Sequence, residues 1–191
     1  IKDIYTNLGV SVSHDDIRTL DTASANLKKQ SGSFSELLGS YGITKDTRNR
    51  AFMPTSGSIV SFNQSLPIFA DKQAISNTFR ATKYKSITND VVGAGKLYLS
   101  AINGMGEDDV RISKRKSLST KRLRGFERNK IGPVDGSDHI GGNYAAVLNL
   151  ETNLPNLLPD SSNTDVSFFV DFGNVWEVDY DDSLDDSNKL R

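Results

Sequence analysis

Two stretches of this chain, NYAAVLNLETNL and DVSFFVDFGNVW, alternate residue by residue over their whole length, and that period limits the fold more than any other feature. In the first, Tyr144, Ala146, Leu148, Leu150, Thr152 and Leu154 share one face, with Asn143, Ala145, Val147, Asn149, Glu151 and Asn153 on the other. In the second, Val166, Phe168, Val170, Phe172 and Trp176 oppose Asp165, Ser167, Phe169, Asp171 and Gly173. A period of two with one apolar and one mostly polar face predicts strands covered by apolar material on one side only.

The same pattern recurs upstream. TNLGVSVS groups Leu8, Val10 and Val12; ELLGSYGI groups Leu37, Tyr41 and Ile43; SIVSFNQSLPI groups Val60, Phe62, Leu66 and Ile68. NTFRATKYK and VVGAGKLYLSAI read as strands with polar residues interleaved. Turn-rich segments (MPTSGS, FADKQ, NGMGEDD) separate these runs, giving roughly seven strands of about ten residues and an eighth beginning at Lys189. Only DTASANLKK has helical character, with a cap expected at Asp21 or Thr22. No repeat at a solenoid period is present.

Two architectures satisfy this pattern. A soluble sandwich or barrel turns the apolar faces inward; a membrane barrel turns them toward lipid and lines its interior with Ser, Asn, Lys, Glu and Asp. Periodicity does not distinguish them. A hydrophobic share of only 36% combined with long alternating strands favours the membrane barrel. No run approaches the roughly 20 apolar residues of a membrane-spanning helix. No leader peptide is visible, although the chain opens on Ile1.

Charge excludes little by itself. With 23 Lys+Arg against 24 Asp+Glu there is no overall field for a polyanion. The basic run from Arg111 to Lys130 (Lys114, Arg115, Lys116, Lys121, Arg122, Arg124, Arg128) has only Phe126 interleaved as a stacking ring, so it reads as a solvated loop rather than a nucleic-acid surface. EVDYDDSLDD lacks the Gly and terminal Glu of a calcium loop and also reads as a solvated loop. His14 and His139 are the only histidines; Asp135 and Asp138 beside His139 are flanked by glycines, and no metal site is expected. The chain has no Cys, VGAGK lacks the frame of a phosphate cradle, and no G-x-S-x-G elbow occurs. No catalytic residues, cofactor or enzyme activity are expected.

One constellation remains. Glu151 and Asp171 both fall on the polar face of their strands. Two carboxylates on an inner wall need water or a cation, and the planar fork of Arg suits them. Arg124 is a candidate, with Gly125 allowing a sharp turn and Phe126 able to wedge beside it. Pattern alone favours the plainer reading of Arg124 as a solvated loop arginine.

LRGF followed by IGPVDG and IGGN, then a Glu-bearing strand and FFVDFGNVW, resembles the C-terminal barrel of the BamA family of outer-membrane protein assembly factors. Upstream, LKKQSGSFSELLGSYGITKDTRNRAFMPTSGS is similar to that family's Asp-x-Arg and Pro-Thr-x-Gly segment. The resemblance implies an all-β fold: a partial antiparallel transmembrane β-barrel of about seven to eight strands. Residues 1–191 would be part of the membrane barrel domain, with a long loop at about 104–142. It implies that Arg124, Gly125 and Phe126 tip a loop folded back into the lumen, that Arg124 meets Asp171 and Glu151, and that Gly141, Gly142 and Asn143 return the loop to the next strand. The basic run becomes loop and rim, and the acidic run the next loop. POTRA domains and the closing strands, which the family carries, have no counterpart in the chain, so a stretch of a larger barrel is expected. The implied partners are unfolded outer-membrane protein clients, accessory lipoproteins engaged through POTRA domains, and lipid of a bacterial outer membrane, with no nucleic acid. Two alternatives stay open: a translocation pore of the TamA or two-partner secretion kind, and a soluble β-sandwich binding a polyanion.

Overall fold

A computed structural model of the protein describes residues 3–154 and 166–179. Seven strands form one antiparallel sheet: β1 (Ile4–Ile17), β2 (Gly32–Asp46), β3 (Gly57–Ala70), β4 (Ala74–Ser86), β5 (Val92–Gly104), β8 (Tyr144–Leu154) and β9 (Val166–Trp176), each paired with its neighbour in chain order. Between β5 and β8 the chain makes a long excursion carrying a short 3-10 turn (Ile112–Lys114) and a small hairpin of β6 (Val134–Asp135) and β7 (Asp138–His139). The eighth strand expected at Lys189, and the acidic run beyond Asp179, lie outside the described residues.

The register fixes which side chains share a face. Asn149 stands opposite Asp171 and Glu151 opposite Phe169; Tyr98 stands opposite Val147 and Lys96 opposite Asn149. Following these pairs across the sheet sends Leu8, Val10, Val12, Tyr41, Ile43, Leu66, Ile68, Leu148, Leu150, Phe168, Val170 and Phe172 to the other, outward side. They remain open there, with Leu8 88% and Val10 71% exposed. The sheet has one apolar face left for a solvent other than water, and its strands of 11 to 15 residues are long enough to cross a hydrocarbon core. The described strands form one sheet and one small hairpin, with no facing layer, so the soluble sandwich is overturned.

The one register shift falls between Leu37 and Leu38, opposite Pro67, which has no N–H to give to the ladder. The only α-helix among the described residues, α1 (Ala25–Lys29), is shorter than expected, and its cap is Ser24 rather than Asp21 or Thr22. The Ser24 hydroxyl accepts from Leu27 N at 3.1 Å and donates to Asp135 on the β6–β7 hairpin.

The long loop lies against the inward face. Laid flat, six strand spacings would separate β1 from β9 by about 29 Å. Yet Leu27, in the connection between β1 and β2, packs in one cluster with Ile140 of the loop and Val178 just past β9, so the sheet curves around the loop. The core sits between loop and wall: Leu118, Leu123 and Ile131 pack on Ala145, Val147 and Val175, with Tyr98 beside them. The inner wall is therefore not polar throughout. On β8 and β9 its half nearer the loop end is apolar, because packed loop rather than water covers it, whereas β1 and β2 present Asp15 and Glu36 there.

Candidate functional site

Arg124 of the loop reaches two carboxylates of the inner wall, Asp171 and Glu151. Its Nε and Nη2 donate to the two oxygens of Asp171 at 2.7 and 2.6 Å, its backbone N donates to Oδ2 at 3.0 Å, and Nη1 donates to Glu151 Oε2 at 3.3 Å. The Asp171 side chain is 3% exposed and that of Arg124 30%. These hydrogen bonds, led by those to Asp171, hold the guanidinium above its ordinary pKa. Asn149 on β8 completes the cradle, donating to Asp171 Oδ1 and to the Arg122 carbonyl, each at 2.8 Å. Glu151 is shared with Lys96 of β5 in a short ion pair.

The strand sequence explains the fit. In Asp171-Phe172-Gly173 the alternation points Asp171 in, Phe172 out and Gly173 in. A Cβ at Gly173 would lie 3.2 Å from Leu123 Cδ1, so the missing side chain gives Leu123 the room that brings Arg124 within reach of Asp171. Gly125 has φ +86 with open space around it; it is needed for its conformation, not for its size. That turn carries Phe126 away to 38% exposure. The ring beside Arg124 is instead Phe169, whose centroid lies 3.7 Å from the guanidinium carbon. Arg122 stacks likewise on Tyr98, at 3.7 Å.

Gly141, Gly142 and Asn143 lie where the loop re-enters β8. Gly142 exchanges backbone hydrogen bonds with Lys116, of 2.7 and 3.0 Å. Buried Asn143 donates from its side chain to Asp179 at 2.7 Å, and from its backbone to the Glu177 carbonyl. The Asp179 carboxylate also accepts from Val110 N, tying both ends of the loop to the start of the acidic run.

A second polar cluster was not anticipated. Arg111 and Glu36 are buried, with side chains 4% and 7% exposed, and are joined at 2.7 Å. Glu36 also pairs closely with Lys114 and accepts from Ser13 at 2.7 Å, while Arg111 reaches Asp15 at 3.4 Å and lies over Phe34, 5.1 Å from the centroid. The basic run is thus only in part the solvated loop that its composition suggests: Lys121, Arg128 and Lys130 are exposed, but Arg111 and Arg115 are buried, and Lys114, Arg124 and Arg122 are held by acids or rings. These cations are not free for a polyanion. Asp135, Asp138 and His139 sit on the β6–β7 hairpin, and no group of three metal-ligating side chains occurs among the described residues.

The family model described as the Omp85 superfamily domain matches residues 2–191. The outer membrane protein assembly factor BamA of Neorickettsia risticii (strain Illinois) is 28% identical over 200 residues, covering 99% of this chain and 26% of that protein. The sorting and assembly machinery component 50 homolog of Homo sapiens is 27% identical over 168 residues, covering 83% of this chain and 36% of that protein. Among solved structures, BamA from Haemophilus ducreyi lacking POTRA domains 1–3 superimposes with a TM-score of 0.80 at 22% identity, over 93% of this chain and 40% of that one. The chain therefore spans well under half the length of these relatives, and the structural likeness establishes a partial β-barrel.

Proposed function

As this chain belongs to the Omp85 superfamily, we propose that it is the loop-bearing part of an outer-membrane β-barrel assembly factor, which inserts other β-barrel proteins without enzymatic chemistry. The observation that carries this reading is the long loop drawn onto the inner wall, with Arg124 bonded to both oxygens of Asp171. A loop fixed in this way keeps the interior filled. Relatives named for assembly, one from a bacterium and one from Homo sapiens, support the same role. A bacterial outer membrane is the narrower proposal, favoured because the bacterial relative matches 99% of the chain and the human one 83%. The partners proposed are unfolded β-barrel clients, accessory lipoproteins acting through domains beyond this segment, and outer-membrane lipid.

The test is reconstitution of the full protein containing this segment into liposomes, followed by the folding rate of a urea-unfolded β-barrel client. Acceleration over empty liposomes, reduced by Arg124→Ala, is the expected result. No acceleration, with cargo instead reaching the liposome interior, would replace assembly by the translocation reading.

A further inference from the structure

The outward face carries a feature that neither loop nor client requires. Two rows of paired residues cross the sheet near the end opposite the long loop. In one, Lys83 stands opposite Gly95, Gly95 opposite Leu150, and Leu150 opposite Val170. In the next, Lys85 stands opposite Gly93, Gly93 opposite Thr152, and Thr152 opposite Phe168. The first row runs cation, gap, then wall; in the second, Ile87 covers the glycine. Gly95 leaves β5 bare on its outward side, while Ile87 from the β4–β5 turn lies over Gly93; the resulting groove, of about 560 Å³, runs between the lysines of β4, with Ile87 at its end, and Leu150, Phe168 and Val170 of β8 and β9.

We propose that this groove is a binding site for one anionic glycerophospholipid, its acyl chain in the glycine furrow and its phosphate at Lys83 and Lys85. Shape favours a hydrocarbon chain. The furrow is one strand wide, with β4 and β8 about 10 Å apart backbone to backbone, too narrow between side chains for a helix of about 10–12 Å diameter. Its floor, β5, is paired on both sides, so it offers no edge to an added strand. Charge favours an anion. On the outward face of the described strands the only Asp, Glu, Lys, Arg or His side chains are His14 and Asp16 toward the loop end and Lys45, Lys83 and Lys85 toward the other. Lys83 and Lys85 are exposed near the end of β4, with Ile87 just beyond them, so a phosphate at that end of the furrow would meet both cations. The inference does not depend on assembly activity; a barrel with any cargo could carry this site.

The experiment is native mass spectrometry of the full protein in mild detergent, titrated separately with phosphatidylglycerol and phosphatidylcholine. The wild type is expected to retain phosphatidylglycerol preferentially. Lys83→Gln with Lys85→Gln should lower that preference on the order of ten-fold and spare phosphatidylcholine. Gly95→Leu, which fills the furrow, should release both lipids. The double lysine variant alters only exposed side chains, so it carries the test if Gly95→Leu fails to fold. An unchanged preference in the lysine variant overturns the proposal. So does cross-linking of Gly95→Cys to a second copy or to a cysteine placed in residues 155–165, since either occupant would exclude the lipid.

Discussion

Arg124 and Arg111 hold the same loop to opposite sides of the curved sheet, the first to β8 and β9 and the second to β1 and β2, and they do so with different chemistry. Arg124 keeps 30% of its side chain exposed, engages Asp171 through both oxygens, and rests on Phe169. Arg111 is almost fully enclosed and shares Glu36, and at longer range Asp15, with Lys114. The first is a directional fork, and the second a buried charge cluster. Water can partly replace a lost partner at Arg124 but has little access to Arg111. Removing one partner therefore has different consequences on the two sides of the loop.

The largest effect is expected at Glu36. Glu36→Ala leaves Arg111 buried without its nearest acid, a loss on the order of 3–5 kcal/mol. Urea unfolding of the full protein in detergent should show the shift, and protease should cut the loop near Arg111 before the strands unfold. A variant as stable as wild type would mean that Asp15 alone satisfies Arg111 and that the two anchors are less different than their burial implies.

At the Arg124 anchor, partial exposure reduces the expected loss to about 2–3 kcal/mol for either Arg124→Ala or Asp171→Ala. The two groups act as one unit, so the double variant should fall well short of the sum of the singles. Additive losses would show that the pair contributes nothing as a pair. Arg124→Lys should recover little, since an ammonium cannot span both oxygens of Asp171. Phe169→Leu is expected to remove about 1 kcal/mol by deleting the stacked ring. A loss as large as that of Arg124→Ala would move the weight of the anchor from the fork to the stack.

The two anchors also differ in how far the sequence revealed them. Alternation placed Glu151 and Asp171 on one face, but pattern alone left Arg124 a solvated loop arginine, and only the family resemblance of the Arg-Gly-Phe triplet paired it with them. The same alternation put Phe169 on that face, and a lone aromatic among acids was the available signal for the stack. Glu36 was equally visible as an inward residue, opposite Leu37, Tyr41 and Ile43. Its partner was not, because Arg111 lies 75 residues away in a segment without periodicity. Strand period dictates side-chain direction, whereas the path of a long loop is set by packing, here by Leu118, Leu123 and Ile131 on Val147 and Val175. For the same reason the basic run looked solvated: composition counts cations and says nothing about which of them the loop's path buries.

The smallest expected effect separates both anchors from the rim. Asp108, just past β5, accepts from Gln73 N at 3.0 Å and from Lys72 Nζ at 2.9 Å, pinning the start of the loop to the β3–β4 turn. Those bonds, that from the Gln73 backbone first, hold its carboxyl below the usual aspartate range. A depressed folded-state value means that the contribution is fully present above the unfolded value of 3.8 and is lost as pH falls through the lower, folded one. As a surface ion pair it is worth at most about 1 kcal/mol. Global unfolding in acid would mix in every other carboxylate, so the readout must be local: the Gln73 amide resonance, followed from pH 5 downward. It should move as Asp108 protonates, and Asp108→Asn should abolish that movement while leaving the loop closed at Arg111 and Arg124. If Asp108→Asn instead exposed the loop to protease near Arg111, the rim would be a third anchor, and the loop would be held at its entrance as well as on its two flanks.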